Sequence, residues 1–289
     1  MYYFSIFVAL SLLSIACYFF PNNMVFGQVK IIDNDTFSVD SGLDDVGTVL
    51  GASKLAKQRI GPTYDIMDVA IIPKIISTEG AIAKINVTQP EPDVGTGFLV
   101  SDSLLLTNNH VIGSPEAARG TTVIFNYQKG IDKKPLPTDT YSVNDSVFYT
   151  NPALDYTLVR LDGSPGEFWS FVPLSNYSDI ALGNRTSIIQ HPSGGYKAWT
   201  YGDGAIVNID PKKGIVKYTS DTLRGSSGSP VFNLNLDLIA LHHFSGDQDI
   251  SGTFLNNEGI MIKNIIDDLK NKLNKDTEGK KVLEELKLP

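Results

Sequence analysis

From residue 81 to residue 241 the chain alternates short apolar runs with clusters of Gly, Pro, Asn and Asp. The runs fall at Ala81–Val87, Gly97–Val100, Ser103–Thr107, Thr121–Tyr127, Ser146–Tyr149, Tyr156–Leu161, Thr186–Gln190, Gly204–Asn208, Ile215–Thr219, Pro230–Phe232 and Leu238–Leu241. Their β-branched and aromatic content marks them as strands, and so many short strands at this spacing predict an all-β sandwich or barrel architecture. Residues Asp162 to Asp179 carry Gly, Pro and Ser and form the natural seam between two halves.

The pattern changes at both ends. Ile262, Ile265, Ile266, Leu269 and Leu273 recur at helical spacing, with Lys263, Asp267, Asp268, Lys270 and Lys272 on the other faces. That stripe predicts an amphipathic C-terminal helix packed against a barrel. At the other end, Met1 to Gly27 contains no Lys, Arg, Asp or Glu, and Tyr3 to Phe20 is nearly all apolar. Residues 1–27 read as a secretory signal peptide with cleavage near Gly27, although no basic residue precedes the apolar stretch. An uncleaved anchor is the second reading, since about 18 apolar residues just span a bilayer. Lipidation at Cys17, after Ser14-Ile15-Ala16, is the third. Residues 28–75 are mixed and Asp-rich, with a helix-like patch near Leu50–Arg59 and no strand alternation before Val69–Ile76. They read as a propeptide or extended N-terminal arm, or equally as a loose linker from membrane to domain.

Composition narrows the partners. In 289 residues, 24 Lys plus Arg face 32 Asp plus Glu, for a net charge of −8, which argues against a dedicated nucleic-acid binder. The one cysteine, Cys17, excludes an intrachain disulfide framework. The four histidines, His110, His191, His242 and His243, show no zinc-site spacing, so neither metal nor cofactor is expected. A chain exported to the outside and thiol-free from Gln28 onward avoids unwanted oxidation. Sequons at Asn34, Asn86, Asn144, Asn176 and Asn184 permit glycosylation without demonstrating it.

Three segments carry chemistry. In Arg224-Gly225-Ser226-Ser227-Gly228-Ser229-Pro230-Val231 a serine stands in a glycine-bearing turn ahead of a strand, as an exposed nucleophile requires. Alone it is no more than a common Gly/Ser turn. Leu104 to Val111 forms a strand ending at His110, and Asn151 to Val159 places Asp155 just before an apolar strand. A serine hydroxyl needs a base to take its proton, and the base needs a carboxylate to fix its tautomer. The order His110, Asp155, Ser227 is that of chymotrypsin-type triads, not of α/β-hydrolases, and the Gly-x-Ser-x-Gly elbow is absent.

The segments GTGFLVSDSLLLTNNHVI, NPALDYTLVRLD and DTLRGSSGSPVFN resemble the trypsin-like serine peptidases, especially their glutamyl-endopeptidase-like bacterial branch. The likeness runs from about Glu79 to Leu269. It implies two six-stranded antiparallel β-barrels with a triad in the cleft between them, and protein or peptide substrates. The expected organisation is a peptidase domain over 76–275, with barrels at about 76–165 and 166–258 and the helix at 259–275, followed by a charged tail over 276–289. By the same likeness His110 would be the general base, Asp155 its orienting carboxylate and Ser227 the nucleophile. The backbone N–H groups of Gly225 and Ser227 would form the oxyanion hole.

The chain departs from the digestive enzymes at two places. Asn108-Asn109 replace the alanines before the histidine, and Ser226 replaces the aspartate before the nucleophile. Without that carboxylate, any activation by cleavage must use a mechanism other than a buried ion pair with a new N-terminus. Thr222, His242 and Ser245 resemble the pocket that binds a substrate glutamate, whereas Asp221 stands where trypsin-like enzymes hold an acid for Lys or Arg. An acidic P1 is preferred, and a His242-His243 pair that merely ends a core strand is the competing account; a basic P1 ranks third. The resulting expectation is a secreted serine endopeptidase, with membrane contact only if residues 1–27 are retained. The alternative is a catalytically silent binding module on the same fold. His191-Pro192-Ser193-Gly194-Gly195 reads as a turn bridging strands rather than as a second site.

Overall fold

The computed structural model describes residues 68–288 and, ahead of them, two short strands. Those strands, β1 (Val29–Ile32) and β2 (Thr36–Val39), pair as an antiparallel hairpin with Val29 opposite Val39. They lie where no strand alternation was expected. The signal segment 1–27, Cys17 and the helix-like patch near Leu50–Arg59 fall outside the described residues.

The compact unit from Val69 to Pro289 opens with α1 (Ile71–Gly80). Then come β3 (Ile82–Val87), β4 (Asp93–Leu99), β5 (Leu104–Thr107), α2 (Pro115–Arg119), β6 (Thr121–Phe125), β7 (Asp139–Asn151) and β8 (Tyr156–Leu161). The strands close into an antiparallel barrel in the order β3-β4-β5-β8-β7-β6. The seam holds α3 (Gly166–Trp169) and a single 3₁₀ turn at Leu174–Asn176. Beyond it lie β9 (Arg185–Gln190), β10 (Ala198–Asp210), β11 (Ile215–Tyr218), β12 (Pro230–Phe232), β13 (Leu238–Ser245) and β14 (Asn257–Met261). These close a second six-stranded barrel in the order β10-β11-β14-β13-β12-β9. Closure leaves no unpaired barrel edge to recruit another chain. Two helices end the chain, α4 (Ile262–Leu273) and α5 (Thr277–Glu285).

The fold is the two-barrel chymotrypsin-like architecture expected. The stripe Ile262, Ile265, Ile266, Leu269 and Leu273 is buried on α4 as its spacing implied. Differences lie at element boundaries. Residues 257–261 form a strand that closes the second barrel, so the helix begins at Ile262 rather than at residue 259. Val69–Ile76 is helical rather than extended: Ile71 and Ile75 pack on the core while Ile72 and Ile76 face outward, and Pro73 sits in the first turn, where its missing N–H costs nothing.

The charged tail of 276–289 is likewise a docked helix. Asp276 caps α5 by accepting the Gly279 N–H at 2.7 Å. Val282, Leu283, Leu286 and Leu288 are buried. Glu285 accepts from Arg160 at 2.8 Å, Ser101 at 2.6 Å and Ser103 at 2.9 Å, which fixes α5 to the first barrel. Leu283→Ala is therefore expected to cost about 2–4 kcal/mol and to lower the midpoint of a thermal melt. A melt unchanged within a degree or so would mean that α5 is dispensable to the domain.

Candidate active site

Strand β5 delivers the chain to a turn in which two asparagines do structural work. Asn108 is fully buried and its Nδ2 donates to the Asp155 carbonyl at 2.8 Å. Asn109 Nδ2 donates to Thr150 Oγ1 at 2.7 Å. Together they tie the segment before His110 to the end of β7 and to the turn that follows it, which the sequence pattern alone did not disclose. In that turn Asn151 Oδ1 accepts the Ala153 and Leu154 N–H groups at 3.0 and 3.2 Å. Asp155 itself has φ +42°, a left-handed conformation that aspartate tolerates better than most residues.

This geometry brings Asp155 onto His110 twice. Asp155 Oδ1 accepts the His110 backbone N–H at 2.9 Å, and Oδ2 lies 2.7 Å from His110 Nδ1. Burial alone would raise the Asp155 carboxyl. The hydrogen bonds from His110 and His243, with the charge and backbone N–H of His110, outweigh that and hold it at about 2. Oδ2 is also 3.2 Å from His243 Nδ1. Sequence reasoning left His243 without a role.

The serine turn is built on two glycines with positive φ. Gly225 has φ +89°, and a Cβ there would meet Gly194 N at 2.6 Å. Gly228 has φ +86°, and a Cβ would fall 2.0 Å from the Thr96 carbonyl oxygen. The Arg224 carbonyl accepts the Ser193 N–H at 2.5 Å. Because a trans peptide points its N–H opposite to its C=O, that bond turns the Gly225 N–H the other way. Thr96 supplies the second brace: its hydroxyl donates to the Gly225 carbonyl at 2.8 Å and accepts the His191 N–H at 3.0 Å. Its own N–H donates to the Ser227 carbonyl at 2.8 Å. Thus the His191–Gly195 turn and Thr96 together hold the serine loop, a role visible only once β4 is seen beside it. Ser226, in place of an acid, is buried and accepts the Leu223 N–H at 3.1 Å.

Ser227 and His110 line one cleft of about 440 Å³. Asp221, Thr222, His242 and Ser245 line the same cleft, while Asp155 does not line it and reaches it through His110. Their settings differ. Asp221 is exposed, and its carbonyl accepts from Gln190 Nε2 and Thr200 Oγ1. His242 is buried, with Nδ1 2.7 Å from the Tyr218 hydroxyl. Burial, with the charges of His243 and His110 adding, brings the His242 imidazole down to about 3. His191 also falls to about 3, chiefly by burial, and its Nδ1 faces the Gly195 carbonyl at 3.0 Å. Among the described residues no cluster of His, Cys, Asp and Glu is arranged to hold a metal ion.

A family model described as "Trypsin-like peptidase domain" matches residues 95–241, just over half of the chain. The chain is 34% identical over 203 residues to an uncharacterized protein, y4fB, of Sinorhizobium fredii, covering 62% of this chain and 30% of that one. It is 23% identical over 216 residues to a glutamyl endopeptidase of Staphylococcus aureus, covering 67% of this chain and 61% of that one. The chain thus spans between 30% and 61% of the length of these curated relatives. Among solved structures, the Rv3671c protease of M. tuberculosis in its inactive form is similar, with a TM-score of 0.50, 20% identity, and 71% of this chain and 96% of that chain covered. Deg5 is similar at a TM-score of 0.50 and 16% identity, covering 71% and 95%. At such identities these two speak to the fold alone.

Two outcomes follow from the geometry. The Asp155 carboxyl is depressed on folding from 3.8 to about 2, so its contribution to stability is present above the unfolded value and lost as pH falls through the folded one. Denaturant melts should show an advantage over Asp155→Asn of roughly 1–2 kcal/mol at neutral pH that fades below about pH 4; an advantage constant down to pH 2 would refute the assignment. Thr96→Val, which removes the hydroxyl between His191 and Gly225, should cut the rate of serine labelling by a fluorophosphonate about tenfold in a folded protein. An unchanged rate would show that the loop needs no such brace.

Proposed function

We infer that this chain, a member of the trypsin-like peptidase family, is a serine endopeptidase that hydrolyses peptide bonds through an acyl-enzyme. The observation that carries the reading is His110, pinned to Asp155 at 2.7 Å, facing one cleft with Ser227. Ser227 Oγ attacks the scissile carbonyl carbon while His110 Nε2 takes the hydroxyl proton. Asp155, ionised with its carboxyl held at about 2, fixes the tautomer and stabilises the imidazolium. The Gly225 and Ser227 N–H groups receive the oxyanion, worth about 3–4 kcal/mol per donor. His110 then returns the proton to the leaving amine, and water repeats the sequence to release the acid. No cofactor is needed.

We assign an acidic P1 to the substrate. His242 presents one edge to Tyr218, and when the phenol donates to Nδ1 the ring proton stays on Nε2. That edge, with the Thr222 and Ser245 hydroxyls in the same cleft, suits a carboxylate. Asp221 is exposed rather than set at a pocket floor, which disfavours a basic P1. The charge-free apolar run over residues 1–27 supports export, so substrates lie outside the cell.

Ser227→Ala is expected to abolish fluorophosphonate labelling and peptide hydrolysis by at least a thousandfold. Undiminished labelling of the variant would sink the nucleophile assignment. Profiling against a peptide library should give cleavage after Glu or Asp; a preference for Lys or Arg would overturn the specificity.

A further inference from the structure

His243 stands at an irregularity of the second barrel. His242 pairs with Gly259 and Phe244 with Glu258, so His243 is the extra residue of a bulge between β13 and β14. A bulge re-aims side chains, and this one directs the imidazole between two carboxylates. Nδ1 lies 3.2 Å from Asp155 Oδ2, and Nε2 lies 2.9 Å from Glu258 Oε1. Ionised carboxylates only accept hydrogen bonds, so an imidazole that serves both must carry a proton on each nitrogen.

We propose that His243 is a cationic positioning residue, held by Glu258, that fixes the Asp155 carboxylate from the second barrel and sets the acid limit of the reaction; this rests on the role given above to Asp155. The charged groups around it agree. Asp155 in the β7–β8 turn and Glu258 on β14 bracket the ring, and its side chain is only 16% exposed. Lys217 on β11 lies 3.8 Å from Glu258 and 2.6 Å from Asp247, so part of the Glu258 charge is already answered. His110 shares Asp155 Oδ2 with it, and neighbouring His242 is neutral. Burial works against the His243 cation, but the hydrogen bonds and charges of Asp155 and Glu258 prevail and raise its affinity for the proton.

The consequence for catalysis has a definite sign. A cation on Oδ2 draws on the same negative charge that would stabilise a proton on His110. Removing the cation leaves that charge to His110 alone, which moves the acid limb of the reaction to higher pH. The second effect is positional: without His243, Asp155 is held from the first barrel only.

The test uses the full chain and three proteins: the wild type, His243→Gln, which keeps a donor without the charge, and His243→Leu, which keeps neither. The acid limb of kcat/KM for a Glu-P1 peptide should move up by about half to one pH unit in both variants. Plateau kcat should fall several-fold in His243→Leu, with Gln restoring part of it and KM changing less. In the wild type, nitrogen-15 NMR of the imidazoles should show both His243 nitrogens protonated at pH 7 and His242 neutral. An unmoved acid limb in folded His243→Gln, or a neutral His243 ring at pH 7, overturns the proposal. The NMR readout decides it even if the variants fail to fold. A wild type that neither hydrolyses peptides nor labels at Ser227 would instead defeat the peptidase reading, while the His243 nitrogens still report on the positioning.

Discussion

The site depends on one carboxylate taken largely out of water where the two barrels meet. Asp155 belongs to the first barrel, and burial opposes its charge. An unpaired buried carboxylate would neutralise itself by taking a proton. Here His110 supplies a backbone and a side-chain hydrogen bond from the first barrel, and His243 supplies a contact from the second. The carboxylate is thus held from both sides of the joint between barrels. A change that parts them would remove the His243 contact and leave the two His110 bonds, which lie within the first barrel.

The rest of the scaffold braces that joint at several points. Thr96 on β4 of the first barrel holds both the Gly225 and Ser227 carbonyls of the serine loop. Helix α1 reaches the second barrel through Lys74–Asp237 and through Glu79–Lys197, the latter lysine being 4% exposed. After the second barrel closes, the chain turns back: Asp268 on α4 accepts the Tyr156 hydroxyl at 2.5 Å, and Glu285 on α5 holds Arg160. The C-terminal helices therefore clasp the first barrel. An exposed pair such as Lys74–Asp237 contributes little, but the other three have partly buried ends and each closes a long loop of chain.

The strands were legible because alternation and β-branching are local. Pro230–Phe232 and Tyr156–Leu161 fall where the pattern put them. The strand Asn257–Met261 was not legible: it opens on Asn-Glu-Gly, and its pairing with β11 and β13 overrides that weak propensity. Helix α1 was ambiguous because Ile-Ile-Pro-Lys-Ile-Ile satisfies both periods. His110, Asp155 and Ser227 were readable because each sits in a short motif whose order carries meaning. Thr96 reaches Gly225, and Asn108 and His243 reach Asp155, across 47 to 129 residues, and no local pattern announces such contacts. Two adjacent histidines on one strand were a faint signal, since neighbours in a strand face different surroundings.

That adjacency has a physical outcome. His242 and His243 are consecutive, yet their environments drive them in opposite directions. His242 is buried beside a neutral phenol, with no carboxylate hydrogen-bonded to its ring, and the neighbouring charge of His243 helps to keep it unprotonated. His243 is also screened from water but sits between two acids that favour its cation. Pairs of titratable groups whose surroundings separate their proton affinities divide labour between them. Here the neutral ring lines the cleft, and the charged one is spent on the two carboxylates that bracket it.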